Sequence, residues 1–131
     1  MLQFDIPGII IKPYVRMTRR GKFTSGQAQE YLASKKDLSW KVQNSMQNQG
    51  VDIMPAKTPL QVTIRLFAPS KPGHRCDLDN QVKAILDACN GIAYPDDRWI
   101  DSIDAERKIG VAPRLVLCIQ QIISPSNEVI S

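Results

Sequence analysis

Five aspartates lie within twenty-one positions of a chain whose formal net charge is +4. They are Asp77, Asp79, Asp87, Asp96 and Asp97, in the stretch RCDLDNQVKAILDACNGIAYPDDRWIDS. Carboxylates that are brought close together repel each other unless a cation compensates them. Oxygen ligands of this kind suit Mg²⁺ or Mn²⁺. The segment is therefore a candidate metal site.

The same residue types suit one reaction, the hydrolysis of a phosphodiester bond. Two divalent ions held by carboxylates can activate the attacking water and neutralise the leaving oxygen. Asp77, Asp79 and Asp97 are the candidate metal ligands. Lys83 follows Asp79 by about one helical turn, so its ammonium group could stabilise the scissile phosphate or its transition state.

A purely structural interpretation of these residues must be weighed beside the catalytic one. Asp77 could cap the helix that follows it, and Asp79 could interact with the helix dipole, each contributing about 0.5 to 1 kcal/mol. Lys83 could pair with Asp79 and Asp87 on the helix surface. Asp96 and Asp97 follow a proline, as in many turns. This interpretation predicts no metal affinity.

The hydrophobic patterns predict the elements that must position these residues. We expect one strand or two short ones within residues 2–11, a helix over 26–49 that a break at residues 37–39 could interrupt, a strand over 60–67, a helix over 77–89, a strand over 99–109 and a final strand from Leu115. Two helices and about four strands favour an α+β fold, a single small domain with one mixed sheet and the helices on one face.

The second predicted helix carries most of the candidate residues. Its apolar residues fall on one helical face and should form the buried stripe: Leu78, Val82, Ile85, Leu86 and Cys89. Asp79, Lys83 and Asp87 are spaced four residues apart and lie beside this stripe. We therefore expect these three side chains at the edge of the core.

Composition excludes several classes of protein. The chain has 131 residues, of which 43% are hydrophobic and 23% charged, as in ordinary globular domains. No apolar run approaches the roughly 20 residues that span a bilayer. The N-terminus lacks the pattern of a secretory signal. We expect a cytoplasmic protein with no membrane partner.

The cysteines give no framework for a disulfide or a structural metal. There are three cysteines and one histidine in the chain. His74, Cys76, Cys89 and Cys118 would formally make a zinc set, but no Cys-x2-Cys pair is present. A disulfide scaffold is not expected in a chain without a secretory signal.

The excess of positive charge is concentrated in two segments. A basic arm, at about residues 12–24, contains Lys12, Arg16, Arg19, Arg20 and Lys22 without any acidic residue, while Lys71 and Arg75 precede the acidic helix. Such clusters are typical of surfaces that contact nucleic-acid phosphates, although a solvated basic loop would have the same composition. These seven residues are therefore the candidate contacts to phosphates, such as those of DNA.

The acidic stretch resembles the signature of a known family. DLDNQVKAILDA, followed by the pair DD, is similar to the Asp-x-Asp-Asn-x-x-Lys-x-x-x-Asp and Asp-Asp motif of the RusA family of Holliday-junction resolvases, which includes phage and prophage members. The order of predicted elements is also similar over residues 2–123, from an N-terminal strand with Pro-Gly through the acidic helix to a final pair of strands. Some members carry several arginines before the first Asp, where this chain has KPGHRC.

The resemblance implies a small homodimer that cuts four-way DNA junctions with Mg²⁺ or Mn²⁺ during recombination and repair. It implies that Asp77, Asp79 and Asp97 bind metal and that Lys83 is catalytic, with supporting roles for Asn80, Asp87 and Asp96. The dimer interface could use the strand 115–123 or the first helix. A junction-binding protein without nuclease activity is the alternative.

Overall fold

Four strands and two α-helices make up most of the structure, a computed structural model that describes residues 1–14, 26–70 and 76–123. The elements are β1 (Leu2–Pro7), α1 (Gly26–Gln49), β2 (Leu60–Ala68), α2 (Leu78–Cys89), β3 (Ile100–Ile109) and β4 (Arg114–Gln121), with a 3₁₀ turn at Asp97–Trp99 before β3. The strands form one mixed sheet. The predicted α+β fold, with a small mixed sheet and two helices, is confirmed.

The sheet has the order β1-β4-β2-β3. β2 is antiparallel to β4 and parallel to β3, so α2 is the helix of a crossover between two parallel strands. The last two strands therefore do not pair with each other. Their short link passes over the end of β2, where the Gly110 N–H donates to the Ala68 carbonyl at 2.9 Å. A Cβ at Gly110 would lie only 3.1 Å from the Phe67 ring, which favours glycine there.

The first helix is continuous from Gly26 to Gln49, so residues 37–39 do not interrupt it. Its C-terminus is closed by Gly50, which has a φ of 67°. The N–H groups of Gly50 and Val51 donate to the carbonyls of Gln47 and Met46, at 3.2 and 3.1 Å. This is the Schellman arrangement, in which a left-handed glycine satisfies the last helical carbonyls.

One face of the sheet forms the core. Leu60, Val62 and Ile64 alternate with partly exposed residues along β2 and are fully buried. On β4 the same pattern buries Leu115, Leu117 and Ile119. In a strand, side chains alternate between the two faces, so these residues point together toward α1 and α2. The strand predicted over 60–67 and the final strand predicted from Leu115 are both observed.

The second helix buries a different face from the predicted one. Ile85 and Cys89 are buried as expected, but Leu78, Val82 and Leu86 are only partly covered. The buried face is completed by Gln81, Ala84 and Ala88. Small residues let two helices approach closely, and the Ser39 hydroxyl of α1 donates to the Ala88 carbonyl at 2.7 Å. Packing against α1 thus selects the side with short side chains.

The helices and the cysteines can be compared with the expectations for a membrane span and a disulfide. Within the described residues, neither helix is both long enough and apolar enough to cross a membrane. All three cysteines are free, and burial raises the pKa of the Cys89 thiol to about 12. His74 lies outside the described residues, so the structure does not test the complete zinc set.

We predict that Ile64→Ala lowers the free energy of unfolding by about 2 to 5 kcal/mol, because it leaves a cavity under the helices. Ile103→Ala is the matched control, since this isoleucine on the edge strand β3 is 48% exposed and Ile64 is 0% exposed. The control should cost less than about 1 kcal/mol. Urea denaturation measures both, and equal losses would contradict the assignment of the core.

Candidate active site on the acidic helix

The crossover connection places the two ends of α2 at opposite ends of the sheet. Parallel β2 and β3 point the same way, so α2 begins where β2 ends and finishes where β3 begins. Arg107, opposite Leu66 on β3, donates to the carbonyl of Cys76, immediately before Asp77. Asp77 and Asp79 therefore lie at one end of the sheet. Asp96 and Asp97 lie at the other, beside the start of β3.

The carboxylate of Asp77 does not cap the helix. Asp77 occupies the N-cap position, with φ −66° and ψ 141°, but its side chain makes no capping hydrogen bond. Asp79, in the first turn, accepts only the adjacent N–H of Asn80, at 3.0 Å, among the contacts of the described residues. Both side chains are exposed. The structural interpretation therefore leaves Asp77 unexplained, and both carboxylates can accept an external ligand.

Lys83 does not form the expected ladder of ion pairs. Its Nζ lies within 4.0 Å of neither the Asp79 nor the Asp87 carboxylate in the described part of the chain. The ammonium group is instead 5.2 Å from the centroid of the Tyr14 ring. Lys83 is exposed, so its charge remains accessible to an anion from solution.

Asp87 joins the two helices. Its Oδ2 accepts a hydrogen bond from the Tyr31 hydroxyl and lies 3.1 Å from the Lys35 Nζ, and both partners belong to α1. Burial, followed by the hydrogen bond and the charge of Asp87, raises the pKa of Tyr31. Asp87 is thus neutralised within the protein, unlike Asp77 and Asp79.

Asp96 and Asp97 form the turn before β3. Asp96 caps the 3₁₀ turn by accepting the Arg98 N–H at 3.1 Å, and the Arg98 Nε lies 3.4 Å from its other oxygen. Asp97 begins the turn and is exposed. Partial loss of hydration, a hydrogen bond with Asp96 and the charges of Asp96 and Asp87 raise the pKa of Asp97. An added cation would relieve this repulsion.

The structure thus places the predicted metal ligands in two groups. Asp77 and Asp79 are neighbours at the start of α2, whereas Asp97 is close to Asp96 and Asp87. Asp87 follows Asp79 by eight residues, or about 12 Å along a helix axis. Within the described residues, no three His, Cys, Asp or Glu side chains lie close enough to hold one metal ion. The exposed oxygens of Asp77 and Asp79 suit Mg²⁺ chemically, but Asp97 does not converge on them.

The segment that leads into the basic arm lies against α2. The Gln81 side-chain amide donates to the Ile11 carbonyl at 3.3 Å, and the Tyr14 N–H donates to the Asn80 carbonyl at 3.1 Å. Lys12 is exposed, with its N–H bound to the Ser34 hydroxyl at 3.3 Å. The other predicted DNA contacts lie outside the described residues: Arg16, Arg19, Arg20, Lys22, Lys71 and Arg75. The arm nevertheless starts beside the acidic helix.

Three residues of this region were not identified from the sequence. The Tyr14 ring lies under the Lys83 ammonium group, and the Tyr31 hydroxyl donates to Asp87. Arg107 donates to the carbonyl of Cys76, the residue before Asp77. Tyr14 could have been identified, because it is an aromatic residue between the basic residues Lys12 and Arg16. Arg107 gave no such signal, since a charged residue on a polar edge strand is ordinary.

A family model described as Endodeoxyribonuclease RusA matches residues 12–120 of the 131. The match includes the complete acidic helix and the turn with Asp96 and Asp97, and it confirms the resemblance. This small α+β protein therefore belongs to a class of DNA-cleaving enzymes. The chain is a member of the RusA endodeoxyribonuclease family. No curated protein matches it.

We predict that Tyr31→Phe lowers the free energy of unfolding at pH 7 by about 1 kcal/mol, because Asp87 loses a hydrogen bond. The pKa of Tyr31 is raised in the folded state, so this stabilisation is fully present below the ordinary tyrosine pKa of about 10 and is lost as the pH rises through the folded-state pKa. Urea denaturation at pH 7 and pH 11 should show a smaller difference between wild type and variant at the higher pH. An unchanged difference would contradict the assigned hydrogen bond.

Proposed function

We propose that this protein resolves four-way (Holliday) DNA junctions by metal-dependent phosphodiester hydrolysis, acting in recombination and repair in the cytoplasm. Family membership supports the nuclease class. The main support is at the start of α2, where the Asp77 and Asp79 side chains are exposed. Asp77 makes no capping hydrogen bond to the helix. Lys83 lies one turn further along and presents its ammonium group without an ion-pair partner among the described residues.

The chain's own residues suggest a division of roles at this end of α2. Asp77 and Asp79 would hold Mg²⁺ or Mn²⁺, because hard divalent ions prefer carboxylate oxygens. Such an ion, when bound, supplies a more acidic water and neutralises charge on a phosphate. Lys83 would stabilise the negative charge that develops on the scissile phosphate. Asn80, which is fixed through its carbonyl by Tyr14, would orient the helix start.

Asp97 remains the proposed third metal ligand. A three-carboxylate site would need either a rearrangement of the loop 90–99 or the equivalent carboxylate from a second copy of the chain. Partial loss of hydration, followed by a hydrogen bond with Asp96 and the charges of Asp96 and Asp87, raises the pKa of Asp97, and a cation near Asp97 would stabilise its ionised form. Asp87 and Asp96 would support the site by fixing the helices and the turn.

DNA would be held by the basic segments. The net charge of +4 and the arm at residues 12–24 favour a polyanion. The arm approaches α2 at Tyr14, whose N–H donates to the Asn80 carbonyl. Contacts with phosphates release counterions, so binding should weaken steeply with salt. The basic segments would therefore hold the DNA while the acidic helix cuts it.

We also propose that the active form is a homodimer, because a four-way junction is resolved by paired cuts that a twofold dimer presents symmetrically. Both edges of β4 are occupied by β1 and β2, so this strand cannot extend the sheet into a partner. The outer edges of the sheet belong to β1 and β3. The strand 115–123 could contribute to an interface only through its uncovered face, and α1 remains the other candidate.

A second function is favoured by one observation, the separation of Asp97 from Asp77 and Asp79. A protein that binds junctions without cutting them needs no complete metal site. It would keep the basic segments and the fold but would show no metal-dependent cleavage.

We predict that the wild-type protein nicks a labelled four-way junction in the presence of Mg²⁺ or Mn²⁺, with little cleavage of the matching linear duplex. Asp79→Asn should lower the cleavage rate at least about 100-fold, because it removes a proposed metal ligand. Asp101→Asn is the matched control, since Asp101 is an exposed strand residue outside the site. Binding of the junction without any cleavage by the wild type would favour the second function.

We predict that Mn²⁺ binding, measured by electron paramagnetic resonance without DNA, weakens about 10-fold or more in Asp77→Asn and Asp79→Asn. Asp101→Asn should bind as wild type does. Asp97→Asn decides how the site is completed: a comparable loss means that Asp97 joins the other two carboxylates. Unchanged affinity in all three site variants would contradict the proposed metal site.

A further inference from the structure

Lys83 interacts with an aromatic ring although two carboxylates of its own helix are within reach by spacing. Asp79 and Asp87 lie four residues before and after it, the spacing at which helical ion pairs form. The ammonium group lies instead over Tyr14, at 5.2 Å from the ring centroid. The position of Lys83 is therefore set by a residue from outside the helix.

The carboxylate on the C-terminal side is already occupied. Asp87 accepts a hydrogen bond from Tyr31 and forms an ion pair with Lys35 at 3.1 Å. Its charge is thus compensated from α1, which weakens its attraction for Lys83. This leaves the Tyr14 ring as the observed neighbour of the lysine cation.

The Tyr14 ring is itself fixed from two sides. Its backbone N–H donates to the Asn80 carbonyl at 3.1 Å, which ties the residue to the first turn of α2. Its ring meets the Tyr31 ring edge to face, with centroids 5.5 Å apart and an interplanar angle of 75°. Tyr31 is held in turn by Asp87. Tyr14 is therefore part of a connected set that spans the N-terminal segment, α1 and α2.

A ring positions a cation differently from a carboxylate. The face of an aromatic ring attracts an ammonium group electrostatically, but it does not neutralise the charge. A lysine in an ion pair would share its charge and its donors with the carboxylate. Over Tyr14, Lys83 keeps both its full charge and N–H donors for an external phosphate.

We propose that Tyr14 is a positioning residue for Lys83, holding the ammonium group near the start of α2 with its donors available to a DNA phosphate. This inference rests on the proposed function, because it assigns Lys83 a phosphate as its target. Tyr14 also immediately precedes the remainder of the basic arm. DNA bound by the arm would therefore be close to the residue that places the catalytic lysine.

The placement can be tested without any cleavage. A proton above an aromatic ring is shifted upfield by the ring current, so the ε-methylene signal of Lys83 should be shifted in a spectrum of ¹³C-lysine-labelled protein. Lys83→Arg assigns the signal. Tyr14→Phe should keep the shift and Tyr14→Leu should abolish it. Trp40→Leu, which removes an exposed aromatic residue of α1, should leave it unchanged. A Lys83 signal at the unshifted position in the wild type would overturn the proposal.

The consequence for the reaction is tested by single-turnover cleavage of the four-way junction at saturating protein. Tyr14→Leu should cleave about 10-fold to 100-fold more slowly than wild type, because the lysine is misplaced. Tyr14→Phe, which retains the ring, should recover most of the rate, and Asp101→Asn should cleave as wild type does. Circular dichroism and thermal midpoints establish that each variant is folded.

Two outcomes would overturn the positioning role: a wild-type rate in Tyr14→Leu, or a rate in Tyr14→Phe as low as in Tyr14→Leu. Failure of the proposed function is distinguishable, because it would appear as absence of cleavage by the wild-type protein itself. In that event the ring-current result alone decides whether Tyr14 places Lys83.

Discussion

The parallel pairing of β2 with β3 is the constraint on which the rest of the site depends. Parallel neighbours need a crossover, and α2 supplies it. The helix must then run back along the sheet, with its first turn at one end and its last turn at the other. This topology presents Asp77 and Asp79 at one end and carries the chain to Asp96 and Asp97 at the other. The acidic residues are thus divided by the fold although they are close in sequence.

The acidic residues also differ in whether a neighbouring group compensates their charge. Asp87 is compensated by Tyr31 and Lys35 and stabilises the contact between the helices, and Asp96 is engaged by Arg98. Asp77 and Asp79 receive no cationic partner from the described residues. Both side chains are exposed, so their oxygens remain available to a ligand from solution. We therefore propose the start of α2 as the metal-binding position.

Much of the fold could be predicted because strands and helices carry strong patterns. Alternation identified β2 as a strand with one buried face, and the helix predicted over 26–49 has the bounds observed for α1. The rotation of α2 could not be predicted, because hydrophobicity favours Leu78 and Val82 while helix packing favours Ala84 and Ala88. The partners of Asp87 and Lys83 also depended on residues distant in the chain. Spacing within one helix suggested an ion-pair ladder, but tertiary contacts of Tyr31 and Tyr14 replaced it.

We propose that the first turn of α2 binds the metal ion used to cut DNA. The most direct measurement is the anomalous scattering of Mn²⁺ in crystals of the protein with a four-way junction. We predict a peak within bonding distance of Asp77 and Asp79, on the side of Lys83 and next to a DNA phosphate. A peak only beside Asp87, Asp96 and Asp97, or no peak at all, would contradict it.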